Sequence, residues 1–392
     1  MSSISNTTYH YAQYALNLHG KALAALQEQT ATGSIINRMS DSPLEAYRLL
    51  GLDTQTTTIT SQINTAKEMM STLDISSSVL GDMASTFSDI TVDLTQVTSD
   101  TYTDSSRTEL ANQIDDALEK LLSLANKTYQ DNYLFGGGNT SNPPYLATYS
   151  DGRMSEVTYV GSKNDRQVEI VTGVETSAFY VGSSLLGSSG RGDQEFVSDT
   201  GAEAGTGTSN LTGDTWLTIT GTAGNYQLSI DGGTTTVTTD GTDTNLAVTD
   251  ADGNVLFVDT TGITSTGKVM VRSEGTYDIF NSLISLRDIL LNTEGLPDTQ
   301  LDEVRSSASK SLTEISDLLT GAQIKVGARI GFLNDIGASL ENIKYNIDEE
   351  EAILGDADAA QLAVDLARYK LLYEMSLSVS ANMLSISLLD YL

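Results

Sequence analysis

"TGSIINRMSDSPLEAYRL", residues Thr32 to Leu49, interrupts a chain whose flanks on both sides read as helix. Gly33 can take positive φ at a helix end, and Pro43 pushes the residue before it, Ser42, away from helical geometry. Asp41 or Ser40 is placed to cap the helix that follows. The polar corner therefore reads as a joint between two helices.

Upstream of the joint, Tyr9, Ala12, Leu16, His19, Leu23 and Leu26 form one apolar stripe at helical spacing. Ile4, Tyr11, Ala15, Leu18, Ala22 and Ala25 form a second stripe beside it. The last helix has the same property, with Leu366, Tyr369, Tyr373, Leu377 and Leu384 on one stripe and Leu372, Met375, Val379, Ile386 and Leu389 on the other. One partner helix does not cover so wide an apolar surface. The surplus face predicts that another chain completes the fold. Leu16, Leu23, Leu377, Val379, Leu384 and Ile386 are the candidate assembly residues.

Downstream of the joint, Ile59, Ile63, Ala66, Met70, Leu73, Ser77, Leu80, Ala84, Phe87, Thr91 and Leu94 alternate steps of four and three, the spacing of a coiled coil. Such a helix is on the order of 50 Å long, which predicts a rod. A third helix follows through Leu110, Ile114, Ala117, Leu121 and Leu124. The second half mirrors the first. Ile279, Phe280, Leu283, Leu286 and Leu290 mark a helix ending near "NTEGLPD", and a long stripe runs from Leu312 to Ile347, drifting around Arg329 and Ile330.

Glycine marks the change of organisation: 23 of the 33 fall between Gly136 and Gly275. There, "WLTITGTAGNYQLSIDGGTTTVTTDG" and its neighbours alternate apolar and polar residues between Asp-Gly and Gly-Gly turns, the pattern of hairpins. Residues 136–275 read as a β-rich insertion, either one body or two small modules. The bounding helices are expected to pair without it.

Composition narrows the chemistry. A net charge of −31 with only 21 Lys and Arg excludes a nucleic-acid partner, which needs a basic footprint. No cysteine is present, so there is no disulfide, thiolate nucleophile or cysteine metal site. The two histidines, His10 and His19, do not share the i, i+4 face of a paired metal site. "GDADAAQ" (Gly355 to Gln361) and "TDADGNV" (Thr249 to Val255) lack the ligand spacing of a calcium loop and read as a helix start and a hairpin turn. The expectation is no enzyme, no cofactor, no metal and no membrane insertion. The start, "MSSISNTTYHYAQY", lacks the charged and apolar regions of a secretory signal.

The corner, with Gly33, Ile36, Asn37, Asp41 and Pro43, resembles a segment of the flagellin superfamily, and Pro43 favours its hook-associated protein 3 branch over flagellin itself. "YLFGGGNTSNPPY" (Tyr133 to Tyr145), "VGARIGFLNDI" (Val326 to Ile336) and the end "SLLDYL" (Ser387 to Leu392) are similar to segments of that branch. Ser42 in place of a second Asp, and Gly136 in place of a small Ala, depart from it. The resemblance covers roughly residues 1–145 and 276–392 and leaves the insertion out.

It implies an elongated α+β fold. Residues 1–40 and 356–392 would form a terminal coiled coil, 41–135 and 276–355 a helical rod, and 136–275 the β-rich insertion. Gly33, Asn37, Asp41 and Pro43 would be the joint between coiled coil and rod. The implied function is that of a structural adaptor joining the hook-side junction protein to the filament, assembled as a ring of identical subunits. Its implied partners are hook-associated protein 1, flagellin and a flagellar export chaperone, with export through the flagellar type III apparatus to the extracellular flagellum. A divergent flagellin is the alternative within the family. A surface adhesin on a helical stalk is the alternative outside it.

Overall fold

The computed structural model describes residues 2–97 and 104–389. The chain is α+β, with helices at both ends and strands between them. The helices are α1 (Ser2–Thr32), α2 (Pro43–Val97), α3 (Asp104–Ala125), the single turn α4 (Gly182–Leu185), α5 (Ile279–Leu291), α6 (Asp298–Gly355) and α7 (Ala359–Leu389). By contacts the chain forms two units, residues 1–65 with 336–392, and residues 66–335.

In the first unit α1 and α7 lie side by side and antiparallel. The Tyr373 ring occupies the space left by Gly20, where a Cβ would stand 3.4 Å from it, while Gly33 meets Ala357 at the other end. His19 sits against Tyr369 with ring centroids 6.2 Å apart. The start of α2 packs along the end of α6, where Leu49 meets Gly355 and Ile59, Ile63, Leu340 and Ile347 are buried. Burial, then the charges of Asp348 and Asp53, push the Glu351 carboxyl above its usual range.

In the second unit the buried stripe of α2 differs from the sequence reading at one position per heptad. Ala66, Leu73, Leu80, Phe87 and Leu94 are buried as read, but the intermediate positions are Met69, Ser76, Met83 and Ile90 rather than Met70, Ser77, Ala84 and Thr91. Thr72, Val79 and Thr86 are buried too, so the covered face is wider than a two-helix seam. On α6, Leu312, Ile315, Leu319, Ala322 and Val326 are buried in three-and-four steps. Beyond Val326 the buried large apolar side chains are Leu333, Leu340 and Ile347, one per heptad, while Ile330 and Ile336 are half-buried and Ile343 is exposed. The drift seen around Arg329 is a narrowing of the covered face.

The helix α3 buries Leu110, Ile114, Ala117, Leu118 and Leu121 against α5. Asp278 caps α5, its carboxylate accepting from the Phe280 and Asn281 N–H groups, and Asn292 closes it in the left-handed conformation at φ 52°. After α3 come three two-stranded hairpins, β1 (Thr128–Tyr129) with β2 (Asn132–Tyr133), β3 (Tyr145–Ser150) with β4 (Arg153–Tyr159), and β5 (Val168–Val171) with β6 (Val174–Thr176). Asp151 and Gly152 turn β3 into β4 with φ of 52° and 82°, the Asp-Gly turn whose twist suits a hairpin.

Eight further strands follow: β7 (Gln194–Val197), β8 (Glu203–Ala204), β9 (Gly213–Thr222), β10 (Asn225–Ser229), β11 (Val237–Thr239), β12 (Leu246–Thr249), β13 (Val255–Asp259) and β14 (Gly267–Ser273). They make a five-stranded sheet in the order β11-β10-β9-β14-β7 and a three-stranded sheet β12-β13-β8. The alternation of each strand turns one set of side chains into a common core of Leu217, Ile219, Leu228, Val258, Val269 and Val271. The opposite face of β9 and β14 is also covered, since Met270 and Arg272 are buried, and Asp214 accepts from Tyr277 and from Ser285 of α5. The helices α3 and α5 do pair, as expected from the sequence, but α5 shares its burial with β4 and β9.

Candidate functional site

The joint is built from backbone requirements. The Gly33 N–H donates to the Gln29 carbonyl at 2.8 Å, and the residue then turns at φ +74°. A Cβ there would meet nothing within 4 Å, so it is the conformation and not space that calls for glycine. The chain next runs beside the break between α6 and α7: Ser34 bridges Asp356, Ile35 N–H donates to Gly355 at 2.7 Å, and Ala357 N–H donates to Gly33 at 2.9 Å. Gly355, Asp356 and Ala357 are thus the second strand of the joint.

Asn37 donates through its side chain to the Ser34 carbonyl at 3.1 Å. Asp41 does not cap the following helix. One of its carboxylate oxygens instead accepts from the Asn37 and Arg38 N–H groups at 3.1 and 2.9 Å, closing a turn upstream. Pro43 is the first residue of α2, where a missing N–H leaves no bond unmade, and the Ser42 carbonyl accepts from Ala46 at 2.9 Å. Asp358 caps α7 by accepting from the Ala360 and Gln361 N–H groups, so the acidic segment is a helix start. Asp250 closes the turn between β12 and β13 through the Asp252 and Asn254 N–H groups. Asn37 and Asp41 are thus joined in one hydrogen-bonded turn, which follows the positive-φ Gly33 and precedes Pro43 at the start of α2.

The joint also presents apolar side chains that sequence periodicity did not single out. Ile35, Met39, Leu44, Tyr47 and Leu50 are all exposed. The signal available was the i, i+3 spacing of Leu44, Tyr47 and Leu50 on the first turns of α2.

The terminal pair is the other candidate surface. Among the described residues, no side chain of α1 or α7 is buried. Leu16 and Leu23 are half-buried, whereas Leu377 and Val379 are 51% and 50% exposed. Tyr11, Tyr14 and Leu18 on α1, and Val364, Leu371 and Met375 on α7, are exposed as well. The side chains of Leu384 and Ile386 lie outside the described residues. Fully burying one large apolar side chain contributes about 1.5–3 kcal/mol. A pair that buries none has little to hold it but its mutual half-contacts, and most helical stability in proteins comes from packing.

Among the described residues there is no cluster of side chains that could hold a metal ion. No described helix is long and apolar enough to cross a membrane.

Residues 4–140 match the family described as the bacterial flagellin N-terminal helical region. No curated protein matches the chain in sequence. Among solved structures, hook-associated protein 3 of Legionella pneumophila is 14% identical, covering 77% of this chain and 96% of its own, with a TM-score of 0.51. The flagellar junction protein FlgL of the same organism is 14% identical over 80% of this chain and 100% of its own, at 0.50. FlgL of Xanthomonas campestris is 18% identical over 75% and 96%, at 0.50. At such identities the likeness is one of fold. Residues 4–140 are thus similar to the flagellin N-terminal helical region, and the chain shares the fold of hook-associated protein 3.

Proposed function

We propose that this protein is a structural subunit of the bacterial flagellum, working at the junction between hook and filament and doing no catalysis. Copies of the chain form a ring, with hook-associated protein 1 on the hook side and flagellin on the filament side. The observation that carries this reading is the α1/α7 pair, which buries none of its described side chains while exposing apolar residues on both helices. Such a pair gains its stability from neighbouring subunits. The same reading entails export through the flagellar type III apparatus with a chaperone in the cytoplasm, and a final place outside the cell.

Deleting the gene tests it. The expected cells keep their hooks and shed flagellin into the medium, because the filament has lost its acceptor surface. Normal filaments on such cells would overturn the adaptor reading, and long filaments grown from the purified chain alone would make it a filament subunit instead.

A further inference from the structure

One face of α6, in the second unit, combines cations, aromatic rings and open space. Thr176, Tyr180, Lys325, Ala328, Arg329 and Phe332 line a concavity of about 430 Å³. The Arg329 guanidinium lies 4.8 Å from the centroid of the Tyr180 ring and donates to the Ser177 carbonyl at 3.0 Å. The Tyr180 hydroxyl donates in turn to the Lys325 carbonyl at 3.2 Å. Stacked and tethered in this way, the guanidinium keeps further donors for an incoming carboxylate and loses little freedom on meeting one. Within 4.0 Å neither Lys325 nor Arg329 forms an ion pair among the described residues.

Phe332 at the rim of the concavity is 46% exposed.

Charge decides what approaches. With 52 Asp and Glu against 21 Lys and Arg, two copies of the chain repel unless cations of one meet carboxylates of the other. We propose that this face of α6 is a contact between copies of the chain, in which Arg329 and Lys325 receive an acidic segment of a second copy, with Phe332 as its apolar rim. The proposal rests on the assembly reading above and adds a contact on the second unit to those of the terminal helices.

The test places p-benzoylphenylalanine at Phe332, and separately at Leu377, in the full chain expressed in the source bacterium. Flagella are irradiated, sheared and analysed by mass spectrometry. The expected product at Phe332 is a cross-link between two copies, mapping to a peptide rich in Asp and Glu. Lys325→Glu, a change at an exposed side chain whose carbonyl bond to Tyr180 remains, is expected to lower that product at least about tenfold while leaving the Leu377 cross-link and the melting temperature unchanged. Reversing the charge of the mapped acidic residue in the same chain is expected to restore it. A Leu377 cross-link without one at Phe332, or a Phe332 cross-link to a different protein, overturns this contact alone. Absence of copy-to-copy product at both positions overturns the assembly reading with it.

Discussion

Asn281 pairs with Val157 as a neighbouring strand would. Its side-chain oxygen accepts from the Val157 N–H and its amide donates to the Val157 carbonyl, both at 3.2 Å. Asn126 does the same on the other edge of the hairpin, with Tyr145, at 3.0 and 2.9 Å. The β3–β4 hairpin is thus clamped between two amides, one following α3 and one in α5, which satisfies edge groups that no third strand reaches. Asn281→Ala leaves the buried Val157 N–H and carbonyl unpaired and is expected to cost about 1–3 kcal/mol in urea unfolding. An unchanged midpoint would show that water replaces the amide without loss.

The β module is fastened to the helices by charge. Arg272 is buried, its side chain only 5% exposed, and it lies 2.8 Å from Glu195 and 3.6 Å from the buried Asp214. Lys310 of α6 reaches Glu195 at 2.6 Å. Asp214→Ala leaves Arg272 with Glu195 alone and the Tyr277 and Ser285 hydroxyls without their acceptor, and is expected to cost about 1–3 kcal/mol. The double change Asp214→Leu with Arg272→Met is expected to cost clearly less than the sum of the single changes. Strict additivity in the denaturation cycle would rule the coupling out.

Acid is expected to loosen the same module through its turns. The Thr235 N–H, with the Ser229 hydroxyl, holds the Asp231 carboxyl down from 3.8 to about 2. Asp240, Asp250 and Asp259 are lowered in the same way by Thr242, Asn254 and Thr261. A carboxyl whose pKa is depressed by folding stabilises fully above its unfolded value and ceases to do so as pH falls through the folded one. Asp214 runs the other way, since burial raises its pKa and protonation relieves it. Melting temperature against pH is therefore expected to fall more gently in Asp231→Asn than in the parent between about 3.8 and about 2. Parallel curves would mean that the turn does not favour the ionised form.

The joint was legible because its requirements are local. Gly33 and Pro43 state them in their own φ preferences, and the Asp-Gly and Gly-Gly turns do the same for the hairpins. The partner strand at Gly355 to Ala357 was not legible, because hydrogen bonds between distant segments leave no periodicity. Helix register was half legible: Leu73, Leu80 and Phe87 follow from spacing, but the choice of Met69 over Met70 depends on which neighbours flank α2. The buried guanidinium of Arg287 meets Asp115 across 172 residues of sequence, and nothing in either residue announces it. The sequence pattern has the bounding helices pairing without the insertion, which would let a linker replace it. The structure argues against that replacement for residues 150–270, since that cut removes the Met154 carbonyl from Arg287 and Asp214 from Tyr277.

Two glycines separate conformation from space. At Gly33 a Cβ is free but φ is +74°, so Gly33→Ala is expected to cost about 1–2 kcal/mol and Gly33→Asn less, because Asn tolerates the left-handed region. At Gly136 a Cβ would stand 2.2 Å from the Asn139 carbonyl oxygen, so Ala and Asn are both excluded unless the backbone moves. Hydrogen exchange of the paired Ile35 N–H, and unfolding of the Gly136 variants, distinguish the two. Equal loss with Ala and Asn at Gly33 would place the defect in packing rather than in φ.

Leu377 and Val379 point the terminal helix outward, 51% and 50% exposed in the single chain. A polar substitution at an exposed position usually changes stability by no more than about 0.5 kcal/mol. If neighbouring subunits cover these side chains, a carboxylate there is buried without a partner, which costs several times as much in the assembled state only. Leu377→Glu and Val379→Glu are therefore expected to melt with the parent as purified chains and to fail to enter the flagellum. Complementation of a deletion strain reads the second half of that statement, and calorimetry the first. Full motility with either variant would show that its position faces solvent in the assembly. A large fall in melting temperature would mean that the exposed side chain already supports the fold of the single chain.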